Sequence, residues 1–187
     1  MEDRKTQIIK LSVELVKKYG YDSFSYADIS RKFGIAKASI HHHFPKKDDL
    51  GLEICNYIHE NMSKAFDKIL SKDTSAKEKI QEYIDLYADM MDNGDNICPI
   101  ASLQAESNII SEKMKKEVIL IDDLENKFIE TLLHLGIKSK EFIVTGSIKY
   151  EALLISSILK GALMYARIHG KENYKMVSQQ LLIRLNT

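Results

Sequence analysis

Proline is almost missing from this 187-residue chain. There are two, Pro45 and Pro99, with eight glycines and no tryptophan. So few breakers, together with apolar residues recurring at spacings of three and four, argue for an all-α fold. Cysteine is scarce as well. Cys55 and Cys98 cannot build a disulfide framework, which points to a cytoplasmic home. No stretch approaches the ~20 apolar residues that a membrane helix requires, so no membrane partner is expected. The first ten residues alternate charged with apolar side chains and do not resemble a signal peptide. No cluster of acids or histidines suggests catalysis or a metal, and no glycine-rich phosphate loop is present. The expectation is therefore a non-enzyme without catalytic residues, metal or cofactor. Net charge is also lacking: 27 Lys and Arg balance 27 Asp and Glu. Taken alone, that neutrality speaks against a nucleic-acid partner.

The charges are not evenly spread. Residues 1–50 hold ten Lys and Arg against seven Asp and Glu, leaving 17 against 20 in the remainder. The chain is thus mildly basic first and mildly acidic afterwards, an asymmetry to look for in nucleic-acid binders. The 44% hydrophobic content is enough for a real core and excludes wholesale disorder.

The apolar spacing lays out a run of helices. Ile8, Leu11, Leu15 and Tyr19 form the stripe of a first helix, and Gly20 stops it. Ser25-Tyr26-Ala27-Asp28 opens a second with an N-cap and an acid three residues on. Ile29 and Phe33 form its inner face, and Gly34 ends it. Lys37 to Phe44 is a third short helix, stopped by Pro45. A fourth runs from about Lys47 towards Leu70. Beyond it, helices are expected over Ser75–Met91, from Pro99 through Leu103, over Lys113–Leu135 with Gly136 as its end, over Tyr150–Ile168, and over Asn173–Leu185. Residues 92–96 read as a loop. Residues 138–146 are compatible with a loop or an early helical turn.

Two short helices joined by a glycine turn, flanked by two longer ones, make a helix-turn-helix. The third helix would present Lys37, Ser39, His41, His42 and His43 outward, with its N-terminus aimed at phosphates. Three successive histidines on a helix point about 100° apart and cannot chelate one ion, so a DNA surface is favoured over a metal site. The pattern resembles the TetR family of bacterial transcription regulators. The resemblance runs through Gly20-Tyr21, Ser25 to Ile29, Phe33-Gly34-Ile35, Lys37 to Ile40, His42 to Pro45 and Lys47 to Leu50. It implies that Ser25 and Tyr26 touch the DNA backbone, that Lys37 and Ala38 face base edges, and that Ser39 contacts phosphate. It further implies that His41, His42 and His43 lie on the reading face and that Lys47 binds phosphate. Packing is the alternative for Tyr26 and His43. Ala36 stands where the family has Ser or Thr, which removes a side-chain cap worth ~1 kcal/mol. His41 stands where Tyr is usual.

The resemblance divides the chain into a DNA-binding domain, residues 1–50, and a helical ligand-binding and dimerisation domain, residues 51–187. It implies a homodimer on a double-stranded DNA operator, most simply a repressor released by a small-molecule effector. Tyr150–Ile168 is apolar nearly all round, and Gly161 and Ala162 permit close helix approach. The expected dimer interface is Leu154, Ile158, Gly161, Ala162, Leu181 and Leu185. An effector pocket is expected at Tyr83, Tyr87, Met90, Met91, Cys98, Phe128 and Met164. Cys98 precedes a helix N-terminus, where exposed amides favour a thiolate, with Asp92 and Asp95 opposing it. The run Cys98–Glu106 resembles a TetR subgroup that includes sensors of electrophiles and oxidants; a small buried residue is the alternative. Cys55 reads as packing. The rival functions are a helical binding module without DNA affinity and, more remotely, a redox enzyme using Cys98.

Overall fold

The structure is a computed structural model that describes residues 3–91 and 96–185. Among the described residues there are nine helices and no strand: α1 (Arg4–Tyr19), α2 (Tyr26–Phe33), α3 (Lys37–His43), α4 (Lys47–Leu70), α5 (Ala76–Asp89), α6 (Pro99–Ala105), α7 (Glu112–Lys138), α8 (Ile148–His169) and α9 (Lys171–Leu185). The all-α fold expected from the sequence is what the chain adopts. The expected loop lies, over residues 92–95, outside the described residues. None of the described helices is long and apolar enough to cross a membrane.

Local chemistry accounts for most boundaries. Asp3 accepts the Thr6 amide at 2.8 Å and starts α1. Ser25 and Asp28 form a complete capping box on α2, and Ser75 and Glu78 form another on α5. Gly34 ends α2 in the left-handed region at φ 64°, which lets the chain turn directly into α3. Ala36 supplies no side-chain cap to α3, as its identity predicts.

Several ends fall one or two residues from their expected positions, and at one of them the expected reason is different. Gly136 does not end α7, which continues to Lys138. The glycine is there for close approach: a methyl group on it would overlap the Phe142 ring. The chain folds back at this point, with the amides of Glu141 and Phe142 donating to the Gly136 carbonyl at 2.8 and 3.1 Å. Residues 141–147 form a loop. From it the Glu141 carboxylate accepts the amides of Ala76 and Lys77 at 3.3 and 2.9 Å and supports the start of α5. Hydrogen bonds from Ser139 and those amides hold the Glu141 carboxyl below its ordinary range.

The chain forms two compact units, and the division is finer than a single cut at residue 50. One unit contains the chain up to Asn61 together with Pro99–Ile121; the other contains Met62–Cys98 together with residues from Asp122 onward. In the first, α1 packs on α2, α3 and α6. Ile8, Val16, Ile29, Ile40, Leu50 and Ile54 are fully buried there. In the second, α8 lies along α9 and α5 packs on both. Its aromatic centre stacks Phe66 on Phe128 at 4.1 Å, with Tyr83 edge-on to each. The Tyr174 hydroxyl donates to the Ile84 carbonyl at 2.8 Å. The buried Lys79 ammonium donates to the carbonyls of Ile69, Leu70 and Lys72, satisfying the C-terminal end of α4.

Gly136→Ala separates helix propensity from packing. In an open helical site the change would stabilise by up to about 1 kcal/mol. Against the Phe142 ring the sign reverses, and a loss of about 1–3 kcal/mol is expected in urea unfolding. A stabilised variant would show that Phe142 yields without cost.

Candidate nucleic-acid interface

The helix-turn-helix is held from beneath. Ile40, at the middle of α3, is completely buried, and Phe44 just past its end is almost so. The Tyr26 hydroxyl donates to the Phe44 carbonyl at 2.9 Å. Tyr26 is itself buried, and burial pushes its hydroxyl pKa up to about 12. It is thus a packing residue fastening α2 to the end of α3; the implied contact with the DNA backbone is corrected, because its hydroxyl faces inward and is used. Ser25 stays exposed, but its hydroxyl is occupied by the Asp28 carboxylate at 2.7 Å.

The outer side of α3 carries the candidate reading groups. Lys37, Ala38, His41 and His42 are exposed, while Ser39 and His43 are half-buried. The His41 ring rests edge-on against Tyr26 at 4.8 Å between centroids, which limits its orientations. His42 and His43 lie edge to face at 5.3 Å. The face offers a cation, a methyl group and two imidazoles at helical spacing, suited to base edges and phosphates in a major groove.

Lys47, at the start of α4, is more confined than a surface lysine. Its Nζ donates to the Asp22 carbonyl at 3.3 Å and lies 4.7 Å from the ring centroids of both Tyr21 and Phe24. Burial lowers its pKa, against the opposing charges of Asp22, Glu106 and Asp28. The Tyr21 hydroxyl donates to the Lys47 carbonyl at 2.9 Å, so loop and helix start are tied in both directions.

The second unit contains a buried polar cluster. Glu125 on α7 is 1% exposed. Its Oε1 accepts the hydroxyls of Tyr83, at 3.0 Å, and Tyr87; its Oε2 pairs with Lys160 Nζ at 2.8 Å. Lys160 also pairs with Asp122 at 2.7 Å. Burial opposes the Lys160 charge, but the two carboxylates together outweigh it and raise its pKa. Burial raises both tyrosine pKa values well above the ordinary range. The sequence stripe through Ile121, Leu124 and Phe128 missed Glu125, Asp122 and Lys160. The available signal was register: Glu125 falls four residues after Ile121 and three before Phe128, where a helix buries its side chains.

Of the expected pocket residues, Tyr83, Tyr87, Met91, Cys98 and Phe128 are buried, and Met90 is half-exposed. Met164 is corrected: it is 44% exposed on the outer side of α8, because Leu163 and Ala166 take the inner side. Cys98 is buried, as is Cys55, whose thiol burial pushes to about 12. Of the expected interface residues, Leu154, Ile158 and Gly161 reach the surface. Ala162, Leu181 and Leu185 are turned into the chain's own core and are withdrawn from that set. The outer apolar side of α8 and α9 includes Tyr165, Ile168, Met176, Val177 and Ile183 instead. Ile158, Met176, Val177, Gln180 and Ile183 line an open groove of about 740 Å³ there.

A short outward-facing helix locked by its neighbours, on a chain that continues into a separate helical unit, defines a helix-turn-helix regulator. Residues 8–54 match the family described as bacterial regulatory proteins, tetR family. An HTH-type transcriptional regulator in the lacX 3′ region of Lactococcus lactis subsp. lactis is 27% identical over 140 residues, covering 71% of this chain and 69% of that protein. The crystal structure of a TetR-family transcriptional regulator from Agrobacterium tumefaciens superposes with a TM-score of 0.92 at 26% identity, over 98% of this chain and 97% of that one. A TetR transcriptional regulator from Legionella pneumophila has the same fold, with a TM-score of 0.85 at 24% identity over 96% and 98%. The chain thus carries a tetR-family DNA-binding domain over residues 8–54 and has the fold of TetR-family transcriptional regulators.

The burial of both cysteines has a direct consequence. In the native protein neither thiol should react with Ellman's reagent within minutes, and two per chain should appear on denaturation. A single fast thiol lost in Cys98→Ser would place Cys98 in an opened segment instead.

Proposed function

We propose that the chain acts as a cytoplasmic homodimeric repressor that reads a palindromic operator, one α3 helix in each major-groove half-site. The observation that carries this is the division of α3: Ile40 locked inside, Lys37, Ala38, His41 and His42 outside. Phosphate contacts from Lys47 and the Ser39 hydroxyl set the register, and Lys37, Ala38 and His41 read bases. The partner of the exposed α8–α9 face is a second copy of the chain. The supporting feature is an apolar surface built from Leu154, Ile158, Ile168, Met176 and Ile183, with the unhindered Gly161 among them. A small-molecule effector binds in the second unit around Tyr83, Tyr87 and Phe128. It changes operator affinity by its unequal affinity for two conformations. α4 serves as the transmitting element because it is one continuous helix from Lys47 to Leu70. Buried as it is, Cys98 contributes to this region by packing rather than as an exposed electrophile sensor.

Operator selection from a random DNA pool, followed by titration, tests the proposal. Binding should fall steeply between low and moderate salt through counterion release. Lys37→Ala should cost roughly 5- to 150-fold in operator affinity, the worth of one base contact. Unchanged affinity in that variant would remove Lys37 from the reading face.

Leu154→Arg combined with Ile183→Arg should convert the dimer to a folded monomer in light scattering and abolish high-affinity operator binding. A variant that remains dimeric would move the interface elsewhere.

A further inference from the structure

We propose that Glu106, just past the end of α6, is a positioning residue for operator binding: its carboxylate latches the Gly20–Asp22 loop that seats Lys47. This rests on the proposal that Lys47 contacts operator phosphate.

The contacts are specific. Glu106 Oε2 accepts the Tyr21 amide at 2.7 Å, and Oε1 accepts the Asp22 amide at 3.2 Å. Two adjacent amides on one carboxylate fix the peptide planes of the loop as a single hydrogen bond cannot. Gly20 is shaped to the same contact. Its φ is 91°, and a Cβ built on it would lie 2.6 Å from Glu106 Oε1. The backbone angle favours glycine at this position, and an added Cβ would have to push the Glu106 carboxylate away from the loop. The Glu106 amide donates to the Ser102 carbonyl at 3.2 Å, so the residue continues the α6 turn instead of hanging from a loose end.

The loop so held is the one that seats Lys47. The Asp22 carbonyl accepts the Lys47 ammonium, the Tyr21 and Phe24 rings flank it, and the Tyr21 hydroxyl returns to the Lys47 carbonyl. Glu106 thus acts on Lys47 through backbone geometry and as a nearby negative charge. These two effects predict opposite outcomes on DNA. Losing the latch disorders the loop and weakens binding, because the ordering must then occur on association. Losing only the charge strengthens binding to a polyanion.

α6 is also the segment by which the chain re-enters the first unit: Cys98 belongs to the second, and Pro99 begins the return. The Glu106 carboxylate is thus one polar link, beside the packing of α1 on α6, between α6 and the loop that seats Lys47.

The test uses the full-length chain and its selected operator, with affinities from fluorescence anisotropy and stability from thermal melting. Glu106→Ala should weaken operator binding by about tenfold, while Glu106→Gln, which keeps one of the two acceptor oxygens without the charge, should recover only part of it. Lys47→Ala and Glu106→Ala should be non-additive, because the second change removes what the first has already disabled. Equal or tighter binding by Glu106→Ala overturns the latch, and so does full additivity with Lys47→Ala. Weakening that tracks a lowered melting temperature and is not rescued by Glu106→Gln reduces Glu106 to a stability contact and overturns the proposal too. Wild-type binding that is insensitive to Lys47→Ala overturns the phosphate role of Lys47 on which the latch rests, and is distinguished from the other failures by that variant alone.

Discussion

A seven-residue helix cannot hold itself together in water, and the function proposed for this chain depends on one that does. Nucleation of a helix is costly and too few hydrogen bonds follow to repay it. α3 has no side-chain cap at Ala36 to help. Its order comes from tertiary contacts: Ile40 sunk into the core, Phe44 beside it, and Tyr26 fastening its end through a hydroxyl-to-carbonyl hydrogen bond. Because these anchors lie on one side, the other side is left to Lys37, Ala38, His41 and His42. The proposed recognition surface is thus the by-product of how the helix is fixed.

The second unit solves a different problem. A carboxylate at 1% exposure is expensive unless it is fully engaged. Glu125 is engaged by two tyrosines and a lysine, and the lysine by a second acid. These groups come from α5, α7 and α8, so the cluster specifies how the three helices meet as well as joining them. Such a network has a high cost when one member is removed. It also gives the region around Tyr83 and Tyr87 a directional polarity that the aromatic stack of Phe66 and Phe128 lacks.

Much of this was legible in the chain. Ser25 with Asp28 and Gly34 marked the ends of α2, and the apolar spacing through α1 marked its buried side. The motif from Gly20 to Leu50 was dense enough to indicate the family. What was not legible shares one cause. Leu181, Leu185, Ala162 and Met164 each lie on helices with apolar residues on more than one side. Periodicity shows that such a residue has a side but not what that side meets. Glu125 and Lys160 were missed for the complementary reason, since a charged residue in an apolar stripe looks like an interruption until its partner on another helix is known.

The sequence by itself determined the helical content, the turn at Gly34, the basic first segment and the composition of the reading helix. These are local, depending on backbone preference and spacing over a few residues. Only the tertiary structure decided that Tyr26 turns inward, that Glu125 is buried and paired with Lys160, and that Glu106 closes on the Gly20–Asp22 loop across 84 residues of chain. Each of these is a polar contact between distant segments. Its free energy exists only after packing has excluded water and brought donor and acceptor together, and no local pattern of residues records that event.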